Sequence, residues 1–241
     1  MKVEVWTDMI CPFCYIGKRR LEAGIEKLAN PQAVEIVYRS FEMNPNMEIN
    51  PLDDVYGIAA SRNGSTREYM KSLLAEISRR AEQDGLKFNY DSAKMTNTFN
   101  AHRLLQYAKQ FGKADELMER LYRAYFTDSM HIGDVSTLID LAVQTGLDAA
   151  NTAEMLESNR FSEEVREDEA AAKKAGLQGV PYFVINDRYA INGAQPAEVF
   201  IQTLQQAWSE EYPIVHWPSS DDRESSLCED GFCSVPQTEK L

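Results

Sequence analysis

The sequence predicts an α/β protein, a mixed-sheet domain interrupted by an all-helical insertion. Three observations lead there. Short apolar runs near both ends read as strands, and a long central stretch carries only helical spacing. The chain also opens in the order strand, helix, strand.

Val3 to Thr7 reads as a buried strand, with Asp8 to Ile10 as the short loop after it. A helix starts at about Cys11, because Pro12 suits a first helical turn, where its missing N–H is not needed. Helical spacing continues through Ile16, Leu21, Ile25 and Leu28 until Asn30-Pro31 ends it. Val34 to Tyr38 is a second buried strand, and a right-handed crossover makes it parallel to the first. From about Asn44 to Gly176 no stretch reads as a strand. Met47 to Gly64 carries prolines, glycines and asparagines and is expected to be a mobile connection. Helices are expected at Thr66–Asp84, Thr96–Phe111, Ala114–Phe126, Ser136–Gly146, Ala149–Glu157 and Phe161–Ala175. Gly85, Gly112, Gly146 and Gly176 sit where such helices would end. Pro181 to Ile185 and Tyr189 to Ile191 form a β-hairpin about the Asn186-Asp187 turn, and Pro196 to Trp208 is the last helix. The expected partition is therefore a first half of the sheet domain at 1–43, the helical insertion at 44–165, a second half at 166–211 and a polar tail at 212–241.

Composition excludes several classes of function. The formal net charge of -13 over 241 residues argues against a nucleic-acid or anionic-membrane surface, which needs clustered Lys and Arg. No run approaches the roughly 18 apolar residues of a membrane span. No basic start followed by an apolar stretch precedes the first strand, so the protein is expected in the cytoplasm.

The four cysteines fall in two close pairs, Cys11/Cys14 and Cys228/Cys233. In a reducing compartment such pairs point to redox chemistry or metal binding rather than structural stapling. A Cys-x-x-Cys at a strand-to-helix junction sets its first sulfur beside unpaired helix N–H groups and the positive end of the helix dipole. Both favour the thiolate, the reactive form. The second thiol lies about one turn deeper, within reach of a mixed disulfide on the first. Cys11 is thus the candidate nucleophile and Cys14 the candidate resolving thiol. Pro12 and Phe13 bring no side-chain donor, so strong anion stabilisation has to come from the backbone or from elsewhere in the chain. The second element is Gly179-Val180-Pro181-Tyr182, where a proline opening a strand suggests a cis bond. It leaves the Val180 backbone free to pair with an extended substrate segment. Pro12, Phe13, Val180 and Pro181 are therefore candidate substrate-binding residues.

Together these features resemble the DsbA family of thioredoxin-fold oxidoreductases. Within it they resemble the cytosolic FrnE-like branch, related to 2-hydroxychromene-2-carboxylate isomerases and kappa-class glutathione transferases. Phe41-Glu42-Met43-Asn44-Pro45 and Asn97-x-x-Asn100-Ala101-His102-Arg103-Leu104 are similar to segments of that branch, and the resemblance covers about residues 1–210. It implies a thioredoxin-like fold, a central mixed sheet flanked by helices. It also implies disulfide oxidoreductase or isomerase activity on protein or small-molecule thiols, with no organic prosthetic group and with glutathione as a candidate co-substrate. In the isomerase and transferase relatives serine usually replaces the first cysteine, so the retained Cys11 favours redox exchange. Two rivals stand beside this reading. A glutathione-dependent isomerase or transferase predicts a deep apolar pocket where sheet and insertion meet, and no need for Cys14. A non-catalytic peptide-binding or chaperone-like module predicts binding that survives loss of both thiols. Monomer and homodimer both fit the sequence.

Cys228-Glu229-Asp230-Gly231-Phe232-Cys233 resembles a C-terminal pair found in some FrnE-like proteins. Its readings are an auxiliary redox relay with Cys11/Cys14, an inert pair in a tail, or half of a four-thiolate zinc site. Three scattered histidines make no metal motif, and no metal site is assigned. His102 is a candidate site-lining residue, against the ordinary reading of a packed or capping histidine. The run Glu163, Glu164, Glu167, Asp168 and Glu169 is expected on a solvated helix face. Met9, Met43 and Met47 either fill the core or line a soft peptide-binding surface.

Overall fold

The computed structural model describes residues 1–213, so Cys228, Cys233 and His216 lie outside the described residues. β1 (Lys2–Thr7) is buried from Val3 onward, as a strand covered on both faces must be. It leads through the four residues Asp8 to Cys11 into α1 (Pro12–Ile25) and, after a 3₁₀ turn at Pro31–Ala33, into β2 (Glu35–Ser40). β2 pairs parallel to β1 with Val3 opposite Ile36 and Thr7 opposite Ser40. On the other side of β1 lies β3 (Tyr182–Ile185), antiparallel, with Val5 opposite Phe183. The hairpin partner β4 (Tyr189–Asn192) completes a sheet of order β2-β1-β3-β4. This is the mixed, helix-flanked sheet of a thioredoxin-like fold, and it brings the two distant ends of the described chain together around β1.

Between β2 and β3 run α2 (Val55–Asn63), α3 (Arg67–Gln83), α4 (Phe99–Lys109), α5 (Ala114–Phe126), α6 (Val135–Gln144), α7 (Ala149–Glu157) and α8 (Ser162–Lys174). α9 (Ala197–Glu211) is the last helix among the described residues and packs on α1. α5 and α8 pack on β2, and α4 packs on both of them. Side chains of Thr66, Asp134 and Asp148 accept N–H bonds at the starts of α3, α6 and α7, which fixes where each helix begins. Gly85, Gly112, Gly146 and Gly176 all take the left-handed conformation expected after a helix end.

Two expectations are corrected. Met47 to Gly64 is not simply a mobile connection. Asp54 accepts from Gly57 N–H and Gly64 sits at φ 58, and between them they bracket α2. The stretch before α2 is tethered as well: Thr96 Oγ1 donates to Ile49 O at 2.8 Å, and Asn97 N–H donates to Glu48 O at 3.1 Å. Nor does the acidic run lie wholly in solvent. Glu163, Glu164 and Glu167 are exposed, but Asp168 is buried and accepts from Arg39, from Ser40 N–H and from Gln106 Nε2.

Candidate active site

Cys11 is the residue that caps α1, with φ -87 and ψ 114, and Pro12 occupies the first helical position. No side chain caps this helix start, and the Cys14 and Tyr15 N–H groups donate to Cys11 O at 3.1 and 3.4 Å, so Cys11 sits directly on the first turn. The loop before it is held by Cys11 N–H donating to Asp8 O at 3.1 Å. Cys11 and Cys14 are both buried thiols. Burial, reinforced by the neighbouring Cys11, pushes the Cys14 thiol well up. The Thr7 hydroxyl and the Asp8 N–H act on the same sulfur in the opposite direction.

The Val180–Pro181 peptide bond is cis. The Cys11 thiol faces Val180 O at 3.6 Å, so the motif and the late loop meet although 169 residues separate them. Gly17 allows that approach. A Cβ there would stand 2.9 Å from Phe183 Cζ and 3.1 Å from Pro181 Cγ, so any side chain would lift α1 from β3.

Beside Cys11 opens a groove of about 510 Å³, walled by the loop after β2, by α2 and α3, and by Gln178 to Val180. It is mainly apolar. Met43, Met47, Met70 and Met95 line it, so two of the three methionines singled out in the sequence reach the groove while Met9 is core. Phe13 stands at the rim, 40% exposed, and Arg62 is the groove's exposed cation. Pro12 and Val180 also line it. The Tyr90 hydroxyl is buried within this wall without a hydrogen-bond partner.

His102 does not reach the groove. It is fully buried in α4, with Nε2 3.6 Å from Asp8 Oδ1. Asp8 Oδ2 accepts Met43 N–H at 2.7 Å, so Asp8 ties the cysteine loop to the groove wall. Glu42, the buried neighbour of Met43, is bonded by Arg166 Nη1 at 2.6 Å, and burial raises its carboxyl above the ordinary value. Sequence reasoning passed over Thr7, Asp8 and Tyr90. Thr7-Asp8 did carry a signal, being two polar residues at the end of the first strand just before the motif. Tyr90 carried none.

A capping thiol at an apolar groove, with a second thiol buried behind it, is the arrangement of a thiol oxidoreductase of the thioredoxin type. The chain belongs to the DsbA-like thioredoxin domain family, whose model matches residues 2–205. It is 35% identical to a probable DsbA oxidoreductase from Streptomyces coelicolor, at a TM-score of 0.82 and covering 98% of this chain and 100% of that one. It is 29% identical to the uncharacterized protein YwbO of Bacillus subtilis, covering 84% of this chain and 94% of that protein. The cytosolic disulfide reductase DsbM of Pseudomonas aeruginosa shares the fold at 15% identity, with a TM-score of 0.62 and coverage of 87% and 100%. No helix among the described residues is long and apolar enough to cross a membrane.

Proposed function

We propose that the protein is a disulfide oxidoreductase acting in the cytoplasm, with Cys11 as nucleophile and Cys14 as resolving thiol. The observation that carries this reading is the Cys11 sulfur at the free start of α1, 3.6 Å from Val180 O and opening on the groove, with Cys14 buried behind it. In the reductive direction the Cys11 thiolate attacks one sulfur of a substrate disulfide and the other leaves as a thiolate. Cys14 then attacks the Cys11 sulfur, the substrate thiolate departs and takes a proton, and Cys11–Cys14 is left oxidised. Two protein thiols are oxidised and one substrate disulfide is reduced. The reverse sequence oxidises a dithiol. An extended substrate segment would lie over Val180 with an apolar side chain in the groove, and Pro12, Phe13 and Pro181 would flank it.

Glutathione fits as the small-molecule thiol that resets the centre; the fold-sharing reductase from Pseudomonas aeruginosa has also been solved with it. In this reading Cys228/Cys233 is an auxiliary pair that exchanges with Cys11/Cys14.

Cys14→Ser should accumulate a mixed disulfide at Cys11 when given an oxidised peptide, and Cys11→Ser should lose activity in insulin reduction. Full activity in Cys11→Ser would end this reading. The apolar groove where sheet and insertion meet also suits an aromatic-substrate isomerase using glutathione. Turnover of an aromatic substrate that is undiminished in Cys14→Ser would favour that second reading.

A further inference from the structure

The groove beside Cys11 has one wall that no regular element supplies. β2 ends at Ser40, and Phe41 to Met47 runs on without strand or helix. Phe41, Glu42, Met43, Asn44 and Met47 all line the groove. Such a segment has no ladder of backbone bonds to fix it, so side chains must tie it down.

Glu42 supplies the central tie. Its side chain is fully buried and is bonded from two directions. Arg166 on α8 donates from Nη1 to Glu42 Oε2 at 2.6 Å, and Asn97, just before α4, donates from Nδ2 to Oε1 at 3.3 Å. The same Asn97 Nδ2 reaches Pro45 O at 3.4 Å, and the Glu42 N–H donates to Glu169 Oε1 at 3.1 Å. Arg166 also bonds Glu169 at 2.6 Å, and its guanidinium lies 4.3 Å from the centre of the Phe99 ring. Phe41 to Pro45 and the segment beginning at Asn97, two stretches whose role the sequence left open, thus meet behind the groove.

A carboxylate held out of water depends on its partners, and protonation removes most of its hold on a guanidinium. Burial raises the Glu42 carboxyl above its ordinary value although Arg166 and His102 pull the other way, so acid neutralises it at a higher pH than an exposed glutamate. The charged and titratable groups facing it are Arg166 and Glu169 on α8 and His102 on α4.

We infer that Glu42 is a positioning residue of the substrate groove: its charged carboxylate, clamped by Arg166 and Asn97, holds the Phe41-to-Met47 wall in the shape that receives an apolar peptide side chain beside Cys11. The inference rests on the proposed exchange reaction and concerns how a substrate segment is received. Glu42 makes and breaks no bond of the exchange; it only gains a proton from water or returns one. Its neutralisation loosens the wall, so peptide disulfides should lose ground to small disulfides in mild acid.

The test uses reduced full-length protein and two uncharged substrates. One is the symmetrical disulfide of a blocked apolar hexapeptide with a single cysteine and no other titratable group. The other is hydroxyethyl disulfide. Stopped-flow rates with each are measured from about pH 7.5 to about pH 5, a range that spans a raised carboxyl. The ratio of the peptide rate to the small-disulfide rate is followed, because titration of the attacking thiol cancels in it. In the wild type this ratio should fall roughly tenfold toward acid, the effect of about one lost charge-assisted hydrogen bond. Glu42→Gln, which copies the protonated state, should show the low ratio throughout. Arg166→Met should move the midpoint of the fall to higher pH, and Arg166→Lys should bring it part of the way back.

A wild-type ratio that does not change with pH overturns the inference. So does a Glu42→Gln ratio equal to that of the wild type at neutral pH, or a fall that persists in Glu42→Gln, which would assign the titration to another group such as His102. Circular dichroism checks folding. If Glu42→Gln does not fold, Arg166→Met decides, and a midpoint left in place overturns the inference. Wild-type protein that reacts with neither disulfide sinks the proposed function itself, and this inference with it; reaction with both at a constant ratio sinks the inference alone.

Discussion

Replacing Gly17 by alanine adds one methyl group at the point where the cysteine-bearing helix meets the cis-proline strand. The new Cβ would stand 2.9 Å from Phe183 Cζ and 3.1 Å from Pro181 Cγ, well inside the ~3.5 Å at which two carbons rest. Phe183 has no free space to retreat into, being fully buried and packed edge-on against Phe200 at 4.9 Å. Overpacking of this kind costs about 1–3 kcal/mol. The same substitution removes a helix-interior glycine, which returns about 1 kcal/mol. The net loss is therefore ~1 kcal/mol, and for a chain of this size the melting midpoint should fall by roughly 2–4 °C. The effect on function should be larger than the effect on stability, because the strain falls between Cys11 and Val180. The second-order rate of the reduced protein with a peptide disulfide should drop more than its rate with a small symmetrical disulfide that needs no Val180 pairing. Thermal melts and stopped-flow kinetics measure the two. A melting midpoint that rises would show that helix propensity outweighs the contact and that Gly17 does not set the spacing.

Three further perturbations bear on the polar clusters around the sheet. Burial holds Lys109 at about 8 against the attraction of Asp168, so between about 8 and its ordinary 10.5 the unfolded chain binds more protons than the folded one. Stability should accordingly rise with pH across that window. Lys109→Met should abolish that rise and stabilise the protein near neutral pH by at most roughly 3 kcal/mol, reduced by loss of the bond to Gln106, as urea titrations on either side of the window would measure. Arg39→Met strips the shared cation from Glu4 and Asp168 and should cost roughly 2–3 kcal/mol at neutral pH, less than for a fully buried pair because Arg39 is itself 35% exposed. Although burial works against it, Glu4 is held below the ordinary 4.5 by Arg39 and Lys2. The cost should therefore fade as acid protonates the carboxylate, and a cost independent of pH would refute the pairing. Asp8→Ala leaves the Met43 N–H without its acceptor and should lose about 1–3 kcal/mol in chemical denaturation, whereas Asp8→Asn, which still offers an oxygen, should lose less.

Much of this architecture could be read from local pattern. The strands at both ends, the CPFC helix start and six of the seven helices between β2 and β3 follow from apolar spacing, and four helix ends follow from their glycines. α2 escaped because its apolar face is small, with Val55, Tyr56 and Ala60 buried, and because the residues around it read as turn formers. Its cap, Asp54, and its terminator, Gly64, were legible one by one but had no periodic stretch between them to join. Asp168 was misplaced for a different reason. It lies on the buried face of α8 between Val165 and Ala172, where Arg39, Ser40 and Gln106, arriving from two other elements, make its burial tolerable. Partners distant in sequence leave no trace in a local window.

The candidate site divides along the same line. Cys11, Cys14, Val180 and Pro181 announce themselves through residue type and position, since a thiol at a helix start and a proline at a strand start each have few other uses. The polar groups packed around the motif are of the other kind. Asp8 is an acidic residue in a loop and Tyr122 one aromatic among many on a helix. Each gains meaning only once β1 and α5 are packed, with 115 residues of chain between Thr7 and the phenol it meets. The motif brings two sulfurs and no donor. α2 and α3 supply much of the apolar wall beside Cys11. The helical insertion therefore walls the candidate site rather than standing apart from it. It enters the chain between the CPFC helix and the cis-proline strand, so its helices stand beside the groove that Cys11 and Val180 border.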